Sequence, residues 1–257
     1  MIQYFINLYY RHWKGWGDFG NYASWASAAE DCAGYNSAEI FEKVRAAVLK
    51  VKKGEARYER DSVLFYDNTI QENLVNCLKN AQNTEGVLRV LDFGGSLGST
   101  YFQHKNILKN YPNLIWCVVE QAHFVETGNK AFEDQQLKFE DSIETAIEKY
   151  QPNFILLSSV LQYIESPYAL LETLFKTRIP YVFVDKTPFI SENEDKIVKQ
   201  IVSTKIYKAS YPCWLFNKNK FQNFILPYAD IEQNFTNSDR NNLLNCRYEG
   251  YILKLKK

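Results

Sequence analysis

The chain has 257 residues, with 30 Lys+Arg against 30 Asp+Glu and 16% aromatic residues. Its length fits one large domain or a core with an appended cap. Its zero net charge argues against a nucleic-acid partner, because such binders carry a basic excess.

No apolar run approaches the ~20 residues that cross a bilayer. The opening is interrupted by Gln3 and Asn7 and lacks the basic start of a secretory signal. Five scattered cysteines and three dispersed histidines show no metal-ligand spacing. Neither a disulfide framework nor a zinc cluster is expected, and a reducing, cytoplasmic compartment without a metal is predicted. A ring-rich stretch, 9–25, comes first. Ser37 then opens a predicted helix with Ile40, Phe41, Val44, Ala47, Val48 and Val51 on one face, ended by Lys52-Lys53-Gly54. Ile70, Leu74, Leu78 and Ala81 predict a second helix.

After Gly86 short apolar runs alternate with helical patterns. Strands are predicted over 87–93, 114–120, 137–140, 154–158 and 179–185, with helices near 97–110, 123–133, 142–150 and 166–176. Unbroken apolar strands separated by helices indicate a parallel sheet covered on both faces. Ser191 with Glu194 three residues on reads as a capping box opening a further helix. A short helix carries Phe221 and Phe224, and 230–235 with 248–254 predict a closing antiparallel pair.

The strongest local signal is Val90-Leu91-Asp92-Phe93-Gly94-Gly95-Ser96-Leu97-Gly98-Ser99, a strand entering a glycine-rich turn and a helix. The glycine spacing fits the dinucleotide pattern G-x-G-x-x-G badly. Asp92 at the strand end would repel a pyrophosphate, yet it suits a ligand carrying an ammonium and a sulfonium. S-adenosylmethionine (SAM) is such a ligand. Glu120 ends the next strand, where a carboxylate accepts hydrogen bonds from both ribose hydroxyls.

These residues, with Asp141-Ser142 and Ser158-Ser159-Val160-Leu161-Gln162-Tyr163-Ile164, resemble the successive motifs of class I SAM-dependent methyltransferases. Gly15-Trp16-Gly17-Asp18-Phe19, Ser24-Trp25, Val184-Asp185-Lys186-Thr187-Pro188 and Tyr211-Pro212-Cys213-Trp214 narrow the likeness. They resemble a bacterial methyltransferase family found among surface-polysaccharide and O-antigen genes. The resemblance implies an α/β, Rossmann-like seven-stranded fold whose last two strands are an antiparallel pair. An N-terminal helical and aromatic cap would span 1–85 and the SAM-binding domain 86–257. It implies that Gly94, Gly95, Ser96 and Gly98 contact the methionine part of SAM. It places Glu120 on the ribose, Asp141 or Ser142 on the adenine edge, and Ser158 beside the cofactor. Ser96 stands where the family's central glycine is usual. The implied reaction moves a methyl from SAM to a hydroxyl of a surface-polysaccharide sugar, leaving S-adenosylhomocysteine (SAH).

Asp185 ends the fifth strand, at the edge where open α/β sheets bind ligands, and is the leading general base; Lys186 is a substrate anchor. A loop-capping role for Asp185 is the bland alternative. Gln162 and Tyr163 face the same mouth and are further acceptor contacts. Trp16 and Trp25 read either as a lid excluding water or as core rings. Tyr211 and Trp214 read as an acceptor-pocket cover or a hydrophobic plug. His104 and His123 read more blandly, as packed or helix-opening residues. Rival readings are an NAD-dependent oxidoreductase, disfavoured by Asp92, and a non-catalytic scaffold of SAM-binding fold. A nucleic-acid methyltransferase lacks its D/N-P-P-Y motif here.

Overall fold

The computed structural model describes residues 16–33, 38–82, 84–204, 206, 208–241 and 246–256; positions 9–15 of the ring-rich opening and Ser37 lie outside them. The first elements are β1 (Gly17–Tyr22), α1 (Trp25–Glu30), α2 (Ala38–Lys52), β2 (Tyr58–Arg60), β3 (Val63–Phe65) and α3 (Glu72–Ala81). Then come β4 (Val87–Phe93), α4 (Ser99–Leu108), β5 (Asn113–Val119), α5 (Ala122–Ala131), β6 (Leu137–Glu140), α6 (Ile143–Tyr150) and β7 (Phe154–Ser158). A short 3-10 turn (Leu161–Tyr163) leads to α7 (Pro167–Lys176), β8 (Tyr181–Ile190), β9 (Lys196–Ile201) and β10 (Ser210–Asn217). The chain closes with α8 (Lys218–Ile225), β11 (Ala229–Asn241) and β12 (Cys246–Leu255).

Seven strands form the central sheet in the order β6-β5-β4-β7-β8-β12-β11. The first five are parallel, while β12 runs antiparallel to both β8 and β11. The antiparallel closing pair expected from the tail is therefore present. Burial explains the sequence pattern: Phe154 to Leu157 of β7 are all fully buried because both faces are covered. On one face α2 and α3 bring Ile40, Val44, Val48, Leu74 and Leu78 into one core with Trp116 and Phe154. The first helices thus share the sheet's core. On the other face α7 and α8 pack Leu171, Leu174, Phe221 and Ile225 against Val182, Val184 and Tyr251. Strand order reverses between β4 and β7, the kind of switch point where doubly wound sheets open a ligand crevice.

The expected helix after Ser191 does not form. Residues 191–195 are a bend, and 196–201 is β9, paired antiparallel with β1 on one side and β10 on the other. Two ladders outweigh a local capping pattern, and the bend uses its polar groups: Asp195 accepts the Asn217 amide at 2.7 Å. Residues 211–216, expected as a cover or plug, lie within a strand. Ile70, expected on a helix, lies before α3 and is exposed. The short β2–β3 hairpin turns through Asp61 (φ 51°) and Ser62 (φ 66°), the left-handed pair that matches strand twist.

Core pairing of β8 with β7 ends at Asp185 opposite Ser158. Lys186 then takes a left-handed φ of 49°, and β8 runs on to pair Phe189–Ile190 with Phe216–Asn217 of β10. β10, β9 and β1 follow in order. A three-stranded antiparallel wing is thereby hung at the carboxyl edge of the core sheet.

Candidate active site

The glycine loop leaves β4 and folds back over it. A Cβ at Gly95 would fall 2.4 Å from Asp92 Oδ2, and one at Gly94 would fall 2.5 Å from Val160 Cγ2. No side chain fits at either position, so bare backbone lies on the Asp92 carboxyl. Ser96 adopts a left-handed φ of 56°, the conformation glycine would supply more cheaply. Gly98 (φ 87°) caps α4 and packs toward Leu137, away from the crevice.

Asp92 is buried, and Trp116 Nε1 donates to its Oδ2 at 2.9 Å. Burial pushes its pKa up to about 7; the Trp116 bond opposes the rise and the nearby Glu120 adds to it. Glu120, just past β5, accepts the Gln121 amide at 2.7 Å and is held also by the Ser96 backbone; burial raises its pKa. Asp141 follows β6. Asp92, Glu120 and Asp141 thus sit at the carboxyl ends of three adjacent strands and line one cavity of about 1260 Å³.

Most of the expected site residues meet there. Gly94, Gly95, Ser96 and Ser158 line the cavity beside these carboxylates, and Trp16, Trp25, Tyr163, Lys186 and Tyr211 line the remainder. Five do not line it. Gly98 is a helix cap. Ser142 caps α6, accepting the Thr145 amide at 3.2 Å and donating to Thr145 Oγ1 at 2.7 Å. Gln162 is fully buried and donates to Ser159 Oγ and Lys186 O, both at 3.3 Å. Trp214 donates to Ile164 O at 3.1 Å and stacks on Trp25, fastening β10 to the 3-10 turn.

Asp185, expected as the general base, is also off the lining. It is 3% exposed, and its oxygens accept from Gln71 Nε2 at 3.0 Å, Asn237 Nδ2 at 2.7 Å and Ser158 Oγ at 3.5 Å. The carboxylate thus ties β8 to Gln71, just before α3, and to β11. Nearby His104 is buried; its Nε2 accepts the Gln71 amide at 3.1 Å and its Nδ1 faces Thr100 O at 2.9 Å. Burial lowers its pKa, so it stays neutral, as a packed histidine should.

Sequence reasoning missed Glu59, Arg60 and Asp61 of the β2–β3 hairpin, and Gln200 and Tyr248, all of which line the cavity. Glu59 accepts from Ser99 Oγ at the start of α4 and from the Ser62 amide at 3.0 Å, and burial raises its pKa. A charged, turn-rich hairpin carries no periodic signal that would mark it. Asp18 lay inside a quoted motif without a role; it too lines the cavity.

No family model matches the sequence, and no curated protein matches it. Solved structures do match. The N-terminal domain of EvdMO1, in the presence of SAH and D-fucose, superposes with a TM-score of 0.51 at 10% identity, over 83% of this chain and 97% of that domain. A SAM-dependent methyltransferase from Methanosarcina mazei gives 0.50 at 10% identity, over 73% and 98%. LepI in complex with SAM gives 0.50 at 8% identity, over 71% of this chain and 46% of LepI. The chain has the Rossmann-like methyltransferase fold. Five strands lie outside the seven of that methyltransferase sheet: the hairpin β2–β3 and the wing β10-β9-β1. Among the described residues no helix is long and apolar enough to cross a membrane. No group of three or more His, Cys, Asp or Glu could hold a metal ion there.

Proposed function

We propose that the chain is a SAM-dependent methyltransferase acting on a hydroxyl of a small molecule or glycan, with a surface-polysaccharide sugar as acceptor. The observation carrying this reading is the row Asp92, Glu120 and Asp141 along one crevice, with side-chain-free loop backbone folded over the first. When ionised, carboxylates only accept hydrogen bonds and carry negative charge. They suit an ammonium, a sulfonium, ribose hydroxyls and an adenine amino group, and they repel the pyrophosphate of a nicotinamide cofactor. The EvdMO1 domain, whose structure was solved in the presence of SAH and D-fucose, supports a sugar acceptor.

In this reading Gly94, Gly95 and Ser96 hold the methionine part, Glu120 the ribose and Asp141 the adenine edge, with Ser158 alongside. Gly98 and Ser142 act indirectly, by fixing the first turns of α4 and α6. Once bound, SAM supplies an activated methyl group on a sulfonium sulfur and becomes SAH. The protein contributes orientation, which in intramolecular reactions reaches effective molarities of ~10⁵ M or more. The 1–85 segment acts as a cap: its described Trp16, Trp25 and hairpin lining screen the crevice from water.

Thermal shift with SAM, SAH, NAD and NADP tests the cofactor. At ligand near 100 Kd, stabilisation is about 2.7 kcal/mol, several degrees for a chain this size. SAM and SAH should shift the melting point, and a shift with NAD alone overturns the assignment. SAH release with a panel of sugar acceptors then separates an enzyme from a scaffold.

A further inference from the structure

The wing presents a polar row to the crevice. Asp18 of β1 stands directly opposite Gln200 of β9, and Gln200 opposite Tyr211 of β10. Residues opposed across strands share a face, and all three line the cavity. The row is hydrogen-bonded in a fixed sense. Tyr163 OH donates to Gln200 Oε1 at 2.8 Å, which orients the amide so that Gln200 Nε2 donates to Asp18 Oδ1 at 3.0 Å. Tyr248 also bonds the Gln200 side chain. The Tyr163 ring packs edge-on against Tyr211 at 5.0 Å. Asp18 is 5% exposed, held as an acceptor with its lining surface toward the crevice.

Among the described residues the charge of this half is balanced: apart from Asp92, Glu120, Asp141 and the Ser99-bound Glu59, the charged side chains lining the cavity are Asp18, Asp61, Arg60 and Lys186. Two of each sign suit an uncharged ligand rich in hydroxyls, and the rings of Trp16, Trp25 and Tyr211 offer flat apolar faces beside them.

We infer that the row Asp18–Gln200–Tyr211 is the acceptor subsite, that it takes a neutral polyhydroxylated ring, and that Asp18 receives the proton of the hydroxyl being methylated. This rests on the methyltransferase reading above. The acceptor oxygen forms the bond to the methyl carbon as its proton passes to an Asp18 oxygen. The electron pair of the broken carbon–sulfur bond stays on sulfur. Carboxylate and sulfonium charges are consumed together, leaving an ether, a thioether and a neutral carboxyl group that returns its proton to water. Gln200 and Tyr163 are positioning residues. Among the described residues, Asp18 adds to the rise that burial gives the pKa values of Tyr248 and Cys246 of β12 and Cys213 of β10.

The test uses the full chain loaded with SAH and three probes: methyl β-D-galactopyranoside, methyl α-D-glucopyranoside and methyl α-L-rhamnopyranoside. Saturation-transfer NMR and tryptophan fluorescence should detect binding of at least one. Asp18→Asn and Gln200→Leu should weaken it tenfold or more, with SAH affinity within twofold of the parent. With SAM, SAH release should fall about 10²-fold in Asp18→Asn but less in Gln200→Leu, whose loss should lie mainly in KM. With SAM saturating, the acid limb of the parent's kcat/KM profile for the sugar should disappear in Asp18→Asn, and Asp18→Glu should restore part of the rate. No pyranoside binding, or Asp18→Asn binding and turning over within threefold of the parent, overturns the inference. A sugar bound without SAH release overturns the proton-transfer role. Failure of the parent to bind SAM or SAH instead defeats the methyltransferase reading itself.

Discussion

Asp92 titrates where it does because it is buried beneath loop backbone, with only the Trp116 indole to steady its charge. A carboxyl whose pKa is raised in the folded state favours folding while protonated, and that contribution is lost as pH rises from about 4 through about 7. A bound cation reverses the preference, because it stabilises the ionised form. SAM binding should therefore release a proton below pH 7, and apparent affinity should rise with pH before levelling off above it. Calorimetry at pH 6 in two buffers of different protonation enthalpy would measure the released proton. The groups facing Asp92 are Glu120, which adds to the rise, and Cys117, pushed up to about 12 and so neutral. Asp92→Asn keeps a partner for Trp116 while removing the charge. It should weaken SAM at least tenfold and abolish the pH dependence.

At the scale of elements, β8 does two jobs. Its first half is the fifth parallel strand, and beyond Asp185 it becomes the stem of the wing. Asp185 marks the junction by tying β8 to Gln71 and Asn237. Asp185→Asn would turn one acceptor oxygen into a donor facing donors, costing about 2 kcal/mol, read as a melting point lower by several degrees. Because Asp185 does not line the crevice, kcat below that melting point should stay within about threefold; a loss near 10²-fold would restore it as the base. The parallel strands and their helices were legible because each carries a local signal: an apolar run followed by helical periodicity. Asp92 and Glu120 were read from their places at strand ends, and Asp141 only from the family resemblance. β9 was not legible. Lys196-Ile197-Val198-Lys199-Gln200-Ile201 is short and half polar, and Ser191 with Glu194 offers a helix start beside it. Its pairing with β1 depends on residues far away in sequence, to which local patterns are blind. For the same reason Asp18 was quoted without a role, while Asp185 drew attention by its place at a strand end.

Across the whole molecule, neutrality conceals a division of labour. Among the described residues, one half of the crevice is an acidic row fixed by the core sheet, and the other is lined by the wing, the β2–β3 hairpin and Lys186 of β8. The halves should be separable by a change confined to β1. Gly20 holds a φ of +81°, and a Cβ there would meet Tyr22 Cε2 at 2.7 Å. Gly20→Val should cost roughly 1–3 kcal/mol of local strain and loosen β1. SAH affinity should stay within twofold while sugar-dependent SAH release falls tenfold or more; equal losses in both would show that the two halves are not independent.

The contact between Asp18 and Gln200 joins residues 182 positions apart, and this has a bearing on how the protein is made. Closing so long a loop costs about 2 kcal/mol more than closing a βα unit of about 25 residues, since the entropy grows with the logarithm of length. Long-range pairings of this kind are also slow. On the ribosome, β1 emerges early yet has no partner until β9 has been synthesised. The strand that completes the acceptor side is the first of the described elements to be made and among the last to find its place.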